Sequence, residues 1–428
     1  MMPIIAHIDM NSYFASVEQQ ANPFLRGRAV GVCAYAHEYG CVIAASVEAK
    51  KMGMKVGMTV HEARKIVPGA VFVQNDPAKY RVVTSRIFAL FDQITDRVEH
   101  YSIDEAFLDL TGWYRDEAEA AWALTKVRRK IRDEIGDWLR CSIGIAPTRF
   151  LAKTASDMEK PNGLVIINEH NLDEVLGRLD LEDVCGIGRK IRRRLERLGI
   201  HSLLELKSYP VENLIRAFGI NGLFLSHKVR GIEFERVQTN DDAPKSIGHS
   251  YCVPDRVNKE GRVVSVLTKL TERAGRRLRK LDLLAGTVSV MVGFRTGPDT
   301  KPSGPFWQPA IASGGGDYIH LGEPVSDSMT LVSTACDLLR DVWKNQSVNF
   351  LAVTLSDLSE PTAQARLDDS VSSWDRRGDR RVSVSRAIDA IRDRYGDESV
   401  VLGSMFGTHE EAPDRIGFRK VDGVECSQ

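Results

Sequence analysis

Apolar residues recur with two different periods along this chain, and the change of period separates strands from helices. Through about residue 167, short apolar runs alternate with amphipathic helical patterns. The segment AHEYGCVIAASVEAKKMGMKVGMTVHEARKIVPGAVFVQ predicts a strand, a helix, a short helix and a strand, and further strands are predicted within RVEHYSIDEAFLDLTG, CSIGIAP and GLVIIN. This alternation indicates a mixed sheet with packed helices, in an α/β or α+β domain.

The pattern changes again towards the C-terminus. Residues 168–236 predict short helices joined by glycine turns, with no convincing strand, and residues 237–246 read as a polar linker. Residues 247–357 predict a strand–helix–strand–strand–helix–strand unit, the order of a ferredoxin-like domain. The polar tail, residues 358–428, predicts one amphipathic helix, SVSRAIDAIRDRYG, and is otherwise expected to be loose.

The overall composition is typical of a protein with several globular domains. A chain of 428 residues, 43% hydrophobic and 27% charged, is too long for one ordinary core. No run approaches the roughly 18 apolar residues of a membrane helix, and the first apolar run lacks the basic flank of a signal peptide. A cytoplasmic protein without a membrane partner is expected. The seven cysteines contain no C-x-x-C pair, which argues against a disulfide framework and a structural zinc site.

Charge is distributed unevenly, although the formal net charge is +0. Residues 186–236 contain eleven basic and five acidic side chains, and a second basic block, KLTERAGRRLRKL, lies within a predicted helix at residues 269–281. Either block alone is compatible with an ordinary solvated helix face. Two such blocks in one neutral chain favour a phosphate-binding surface.

Three carboxylates are the strongest candidates for chemistry. Asp9 lies at or near the end of the first predicted strand, where it could instead cap the helix that follows. Asp104 and Glu105 are neighbours between two strand-like segments, so both can serve one site only at a turn, a bulge or a hairpin corner. Clustered carboxylates repel one another unless cations neutralise them, and hard oxygen ligands suit magnesium. Exposed surface acids are the alternative for either segment taken alone.

Five motifs follow one another along the chain: HIDMNSYFASVE, YSIDEAFLD, CSIGIAPTRFLAKTASDMEKPNG, LEDVCGIGRKIRRRLERLGI and KSIGHSYCVP. Together they resemble the Y-family DNA polymerases, specifically the polymerase IV-like branch, and the resemblance covers residues 4 to about 355. It implies that Asp9, Asp104 and Glu105 are catalytic metal ligands and that the backbone carbonyl of Met10 also contacts a metal. It further implies two Mg2+ ions per active site, which act on the primer 3′-hydroxyl and on the departing pyrophosphate.

The resemblance also implies a multidomain α+β fold, that of a right-hand polymerase. Its palm would be ferredoxin-like, and its little finger would be the strand–helix–strand–strand–helix–strand unit. The expected regions are the catalytic palm (1–11 and 78–167), the small fingers (12–77), a helical thumb with a helix-hairpin-helix (168–236), the linker (237–246), the DNA-binding little finger (247–357) and the polar tail (358–428).

Five residues are implied to bind the incoming nucleotide, four through their side chains and one through the backbone. Phe14 matches the steric gate, a ring under the incoming sugar with which a ribose hydroxyl would collide, and Tyr13 is the adjoining ring. The backbone amides around Ser12 could hold triphosphate oxygens at the start of the following helix. Lys160, in the turn EKPNG, matches a lysine on the triphosphate, and Lys50 is a further basic residue for that group. Without the resemblance, the two rings would be interpreted as core packing and Lys160 as a surface lysine.

The segment CGIGRKIRRRLERLGI resembles the hairpin of a helix-hairpin-helix. Gly186 and Gly188 would let the backbone approach a DNA phosphate, with Arg189 and Lys190 beside it. A plain helical packing unit is the alternative. The match of residues 247–357 to the little finger implies that its basic helix grips duplex DNA through the DNA backbone, without sequence preference.

The chain departs from the family within AASVEAKK. Many relatives carry a Thr, a Tyr and an Arg aimed at the triphosphate, where this chain has Ala44, Val47 and Lys50; a lysine provides a point charge in place of a bidentate arginine. Asn11 replaces a frequent Asp. A sliding clamp is a candidate partner, but the tail has no clear clamp-binding peptide, because ARLDDS is too polar.

These features predict a monomeric, DNA-directed DNA polymerase of the translesion, low-fidelity type, which binds primer–template DNA and deoxynucleoside triphosphates. The alternative is a polymerase-shaped DNA-binding adaptor with weak or no catalysis that recruits repair partners. Retention of all three carboxylates favours the enzyme, because an adaptor has no need of mutually repelling acids.

Overall fold

The computed structural model describes residues 3–38, 40–238, 244–257, 259–294, 313–361, 372–407 and 411–413. These residues form two compact units, one within residues 1–241 and one within residues 242–415. Residues 239–243, half of the predicted linker, and the tail segment ARLDDS lie outside the described residues.

Strands and helices alternate through much of each unit. The strands are β1 (Ile5–Met10), β2 (Val30–Cys33), β3 (Val42–Ala45), β4 (Val71–Gln74), β5 (Val98–His100), β6 (Glu105–Asp109), β7 (Cys141–Ala146), β8 (Leu164–Ile166), β9 (Ser246–Val257), β10 (Leu284–Phe294), β11 (Ser313–Val325) and β12 (Val348–Ser359). The α-helices are α1 (Tyr13–Ala21), α2 (Val47–Lys51), α3 (Val60–Ile66), α4 (Pro77–Phe91), α5 (Glu117–Lys130), α6 (Arg149–Met158), α7 (Leu172–Arg178), α8 (Arg189–Glu196), α9 (Leu203–Ser208), α10 (Val211–Phe218), α11 (Ile220–Arg230), α12 (Glu260–Lys280), α13 (Ser328–Val342) and α14 (Ser372–Tyr395).

A five-stranded sheet lies at the centre of the first unit, with the strand order β5-β6-β1-β7-β8. Its middle strand, β1, is buried on both faces, which explains why its sequence is almost wholly apolar. Ile8 belongs to a core shared with α4 and α5, whereas Ile5 belongs to a second core shared with α6. The helix α6 lies very close to β7, since a Cβ atom on Gly144 would stand 2.0 Å from the carbonyl oxygen of Ala152.

Two further parts complete this unit. The strands β3, β2 and β4 form a separate three-stranded sheet, in which β2 is antiparallel to β3 and parallel to β4. From residue 172 to residue 230 the described chain contains helices and turns and no strand. Leu195 and Leu214 from these helices pack into the same core as Ile5.

The second unit is built on a four-stranded antiparallel sheet with the strand order β11-β10-β12-β9. Its elements run in the order strand, helix, strand, strand, helix, strand, and the two helices, α12 and α13, pack against each other and against the sheet. Side chains such as Met291 and Tyr318 remain exposed on the sheet.

The C-terminal tail packs against α12 in this unit. Its helix, α14, begins at Ser372, earlier than the predicted amphipathic segment at residues 383–396. Beyond the helix, Met405 and Ala412 are buried, so the expectation of a loose tail is wrong for these residues. Buried ion pairs to α12, which a polar composition does not reveal, hold this part in place. None of the helices in the described ranges is long and apolar enough to cross a lipid bilayer.

Candidate active site

Strand register brings the candidate carboxylates together. Asp9 on β1 is paired with Glu105 on β6 and with Ser142 on β7, and directly paired residues of antiparallel strands point to the same face. Asp104 lies in the corner between β5 and β6, and its carbonyl oxygen accepts the N–H of Met10 at 2.9 Å. The hairpin corner required by the sequence is therefore present. Asp9 lies inside β1 and is not the cap of α1.

Asp104 is the carboxylate most affected by burial. Burial, and then the charge of Asp9, raise the pKa of Asp104 to about 7, although the hydroxyl of Ser102 donates to its Oδ1 at 2.6 Å. A nearby cation favours the charged form of a carboxyl group. A pair of crowded oxygen ligands such as Asp9 and Asp104 therefore fits a hard divalent cation such as Mg2+.

Glu105 has different partners. Its Oε2 lies 3.1 Å from His7 Nε2 and is also contacted by the ammonium of Lys153. Burial alone would raise the pKa of Glu105, but the hydrogen bond from His7 and the charge of Lys153 lower it to about 2. The other ring nitrogen of His7 lies 2.7 Å from Ser156 Oγ. This network keeps Glu105 ionised and fixes its orientation.

Sequence reasoning missed His7, Lys153 and Ser156. His7 precedes Asp9 by two residues, so the two-residue period of a strand places both side chains on one face and could have indicated the neighbour. Lys153 and Ser156 reach Glu105 and His7 only because α6 packs over the sheet, and no local pattern predicts that packing.

Lysines surround the carboxylate cluster. The ammonium of Lys160 lies 2.9 Å from Asp9 Oδ2 and 2.6 Å from Asp157 Oδ1. Burial opposes its charge, but these two carboxylates raise the pKa of Lys160. Partial desolvation, and then the charge of Lys160, lower the pKa of Lys50. Among the described residues, no three His, Cys, Asp or Glu side chains are grouped as metal ligands. The assignment of Asp9, Asp104, Glu105 and the Met10 carbonyl as metal ligands therefore remains a prediction.

An aromatic wall borders the site. The Phe14 ring is half-buried and stacks on Tyr80 at 4.4 Å between ring centroids. Tyr13 is buried, and its hydroxyl donates to the carbonyl of Tyr80 at 2.9 Å and lies 2.8 Å from Thr84 Oγ1. Thr84 in turn donates to the carbonyl of Ile103, in the corner that carries Asp104. Ser12, just before α1, has a left-handed φ of 50°.

The positions that depart from the family lie on β3 and α2. Ala44 is buried in the central core, and Val47 is half-buried at the start of α2. Neither side chain has a polar group for a phosphate oxygen. Lys50 is exposed on α2, and its interaction with Lys160 and Asp9 places it near the carboxylate cluster.

The glycine hairpin lies at the start of α8. Gly186 has a φ of 97°, which favours glycine, and a Cβ atom on Gly188 would meet no other atom within 4 Å. Ile187 between them is buried, whereas Arg189 and Lys190 are exposed. The structure thus brings these four predicted DNA contacts to one accessible edge, where their role stays a prediction.

The basic helix α12 has partners in the C-terminal tail. Arg279 makes two hydrogen bonds to Asp389 on α14, at 2.6 and 3.0 Å, and Arg276 pairs with Asp393 and Asp397. Lys269 donates to the carbonyl of Glu411, and Arg273 to that of Ala412. The tail therefore engages these four side chains of α12, and the contact of this helix with DNA stays a prediction.

Comparison with known proteins now decides the family. The protein-family model for the impB/mucB/samB family matches residues 8–157. The family model for the C-terminal domain of the same family matches residues 244–368. The DNA polymerase IV of Moorella thermoacetica is 33% identical over 396 residues, which cover 92% of this chain and 93% of the relative. The chain belongs to the polymerase IV-like Y-family DNA polymerases.

Two further similarities agree with this family. The protein named DNA polymerase IV 1 of Bacillus subtilis is 29% identical over 423 residues, which cover 97% of this chain and 96% of the relative. A solved Y-family DNA polymerase chimera, Dbh-Dpo4(243-245)-Dbh, matches 84% of this polymerase and 100% of its own chain, with a TM-score of 0.71 and 26% identity. The family and enzyme class predicted from the five ordered motifs are confirmed, as is the α+β fold class.

Proposed function

We propose that this polymerase adds deoxynucleotides to a primer 3′-hydroxyl by two-metal phosphoryl transfer, with low fidelity and on damaged templates. The observation that carries the proposal is the strand register that pairs Asp9 with Glu105, directly beside the corner that carries Asp104. The low fidelity and the use of damaged templates rest on the family resemblance.

Asp9, Asp104 and Glu105, with the Met10 carbonyl, are the residues that would hold the metals. Bound Mg2+ would lower the pKa of the primer hydroxyl and neutralise charge on the departing pyrophosphate. His7 and Lys153 would keep Glu105 ionised and oriented. Phosphoryl transfer needs mainly alignment and charge neutralisation, which suits a site without an activated Ser or Cys nucleophile.

Other side chains of the site would bind and select the nucleotide. Lys160, which pairs with Asp9 in this structure, would exchange that partner for a triphosphate oxygen, and Lys50 would add a second cation. Phe14 would lie under the sugar beside Tyr13, and the amides that follow Ser12 would approach the triphosphate.

The predicted regions supply the remaining roles. The five-stranded sheet would be the palm, the three-stranded sheet the fingers and the helices α7–α11 the thumb. The thumb edge formed by Gly186–Lys190 would contact primer–template DNA. The little finger, here the second unit, would be a DNA-binding region in its own right. We expect a cytoplasmic monomer, with the sliding clamp as an untested partner.

Primer extension tests the proposal, with each nucleotide supplied on an undamaged template and on one containing an abasic site. With Mg2+, wild-type protein should extend the primer on both templates. Asp104→Asn should lower the rate of extension by at least about a hundredfold, because removing a group that stabilises charge in the transition state has effects of that size. DNA binding should be retained, since it depends on basic surfaces. Asp96→Asn, an exposed acid of the same unit, is the matched control.

One observation favours the adaptor as a second candidate. Ala44 and Val47 lack the polar groups that would hold a triphosphate, which is compatible with weak catalysis. An adaptor would bind primer–template DNA as tightly but would extend no primer. An extension rate for Asp104→Asn within tenfold of the wild-type rate would contradict the metal assignment. If neither the wild-type protein nor Asp104→Asn extends a primer, the adaptor is favoured.

A further inference from the structure

Asn11 is a buried polar residue that the proposed mechanism does not use. It lies directly after β1 and is 5% exposed. Its side-chain amide nitrogen donates to Ser142 Oγ at 3.0 Å, and its amide oxygen accepts the backbone N–H of Asn162 at 2.7 Å. The Ser142 hydroxyl in turn donates to the carbonyl of Glu159 at 3.3 Å. These bonds tie both ends of the EKPNG turn to the central strands.

The turn has a compact backbone that depends on such contacts. Asn162 has a left-handed φ of 66°, and a Cβ atom on Gly163 would stand 2.0 Å from the carbonyl oxygen of Glu159. The carbonyl of Asn162 accepts a further hydrogen bond from Arg128 at 2.9 Å. Side chains from β7, α5 and the residue after β1 therefore fix the path of this turn.

Lys160 lies inside the turn, so its position depends on the same bonds. We propose that Asn11 and Ser142 are positioning residues, which hold the EKPNG turn so that the Lys160 ammonium stays beside Asp9. If the proposed polymerase function is correct, on which this part of the inference rests, they also place that ammonium for the triphosphate. Neither residue touches the reacting atoms; both act through Lys160.

The chemistry of an amide explains why this position has an asparagine. An asparagine donates and accepts at once, whereas an ionised aspartate only accepts. With aspartate at position 11, the hydrogen bond from the Asn162 N–H could remain, but the hydrogen bond that Asn11 donates to Ser142 Oγ would be lost. The Ser142 hydroxyl would then donate to the new carboxylate and no longer to the carbonyl of Glu159. A negative charge would also be added near Lys160 and Asp9.

Hydrogen exchange at the Asn162 amide tests the structural part without any catalysis. Asn11→Ala should speed exchange there by about fivefold to tenfold, since a buried hydrogen bond of about 1–1.5 kcal/mol is removed. Asn11→Asp keeps an acceptor for the Asn162 N–H, so the exchange rate there should stay within about threefold of the wild-type rate. Unchanged exchange in Asn11→Ala would overturn the proposal. Should that variant fail to fold, Asn11→Ser, whose shorter side chain also withdraws the acceptor from the Asn162 N–H, replaces it: faster exchange supports the proposal and unchanged exchange overturns it.

Nucleotide kinetics test the functional part through a double-mutant cycle. Asn11→Ala should raise KM for the nucleotide by about threefold to tenfold with little change in kcat, because a triphosphate contact is made in both ground and transition states. In a Lys160→Ala background the same change should alter kcat/KM by less than about twofold, since coupled residues are not additive. Equal losses in both backgrounds would show that Asn11 does not act through Lys160. Failure of wild-type extension would instead refute the proposed function, and the exchange result at Asn162 would still decide whether Asn11 holds the turn.

Discussion

The residue at which sugar selection is expected, Phe14, has one face of its ring stacked on Tyr80 and remains only half-buried. Truncation of Phe14 to alanine removes its ring and leaves space beside Tyr80. In Phe14→Ala, we expect the preference for deoxyribonucleotides over ribonucleotides, as a ratio of kcat/KM values, to fall by at least about tenfold, which corresponds to about 1.4 kcal/mol of lost discrimination. Single-nucleotide insertion opposite one template base measures the ratio.

A second aromatic residue provides the control for the gate. Phe24 is 86% exposed and follows α1, in a part of the chain for which no nucleotide contact is predicted. Phe24→Ala should therefore leave the sugar preference unchanged. An unaltered ratio in Phe14→Ala would mean that another group excludes ribose.

Lys50 and Val47 are two of the positions at which the chain departs from the family pattern, and weaker triphosphate binding is predicted there. Charge-assisted hydrogen bonds contribute roughly 1.5 to 3 kcal/mol. We expect Val47→Tyr with Lys50→Arg to raise kcat/KM for the nucleotide by about tenfold or more, mainly through KM. Steady-state insertion kinetics provide the measurement. No gain in a double mutant that keeps the wild-type melting temperature would show that other residues hold the triphosphate.

At this scale the sequence predicted some contacts and could not predict others. The corner at Asp104 and its proximity to Asp9 follow from motifs that lie on neighbouring strands. Lys153 reaches Glu105 only across the α6–sheet contact, and Asn11 reaches Asn162 across a separation of 151 residues. Contacts of this kind depend on tertiary packing, which local periodicity does not encode.

At the scale of elements, apolar periodicity located strands well and helix ends less well. The pattern VNFLAVTLSDL predicts a strand, and β12 spans Val348–Ser359. By contrast, α14 begins eleven residues before the predicted amphipathic segment, because residues 372–382 include charged side chains and a glycine that hide a helical period. The basic block on α12 likewise gives no local sign of its acidic partners, which lie more than a hundred residues later in the chain.

The ion pair between Arg392 on α14 and Glu272 on α12 should hold these two helices together. Their atoms are 2.9 Å apart, and both side chains are at most 5% exposed. Removing one member of a buried pair leaves an uncompensated charge, so Arg392→Met should lower the free energy of unfolding by about 3–5 kcal/mol. Urea denaturation of the full chain, followed in the second unit, measures the loss.

The control for this prediction is an exposed pair of the same unit. Arg340 and Asp337 on α13 are paired, but both are more than two-thirds exposed. Arg340→Met should change the free energy of unfolding by less than about 1 kcal/mol, because surface pairs contribute little. Equal effects of the two substitutions would contradict a structural role for the tail.

At the scale of the whole molecule, the C-terminal tail changes which basic residues are available to DNA. The sequence contains two basic blocks, but Arg273 and Arg276 on α12 are engaged by the tail, whereas Arg189 and Lys190 on α8 are exposed. Amino-acid composition cannot distinguish basic side chains that contact the tail from basic side chains that are exposed, since both helices carry similar charge. Electrostatic binding of duplex DNA is therefore expected to depend on α8 far more than on α12.

Salt dependence separates the two helices with matched losses of charge. Each phosphate contact contributes a slope of about −0.9 to the logarithm of the binding constant against the logarithm of salt concentration. Arg189→Gln with Lys190→Gln should therefore make the slope less negative by about 1 to 2. Arg273→Gln with Arg276→Gln removes the same charge, yet it should change the slope by less than about 0.5, because those groups contact the tail and not phosphates. Fluorescence anisotropy of a labelled primer–template between low and physiological salt gives both slopes. A larger change for the α12 pair would mean that DNA displaces the tail from α12, and the basic helix would then bind DNA as its sequence alone suggests.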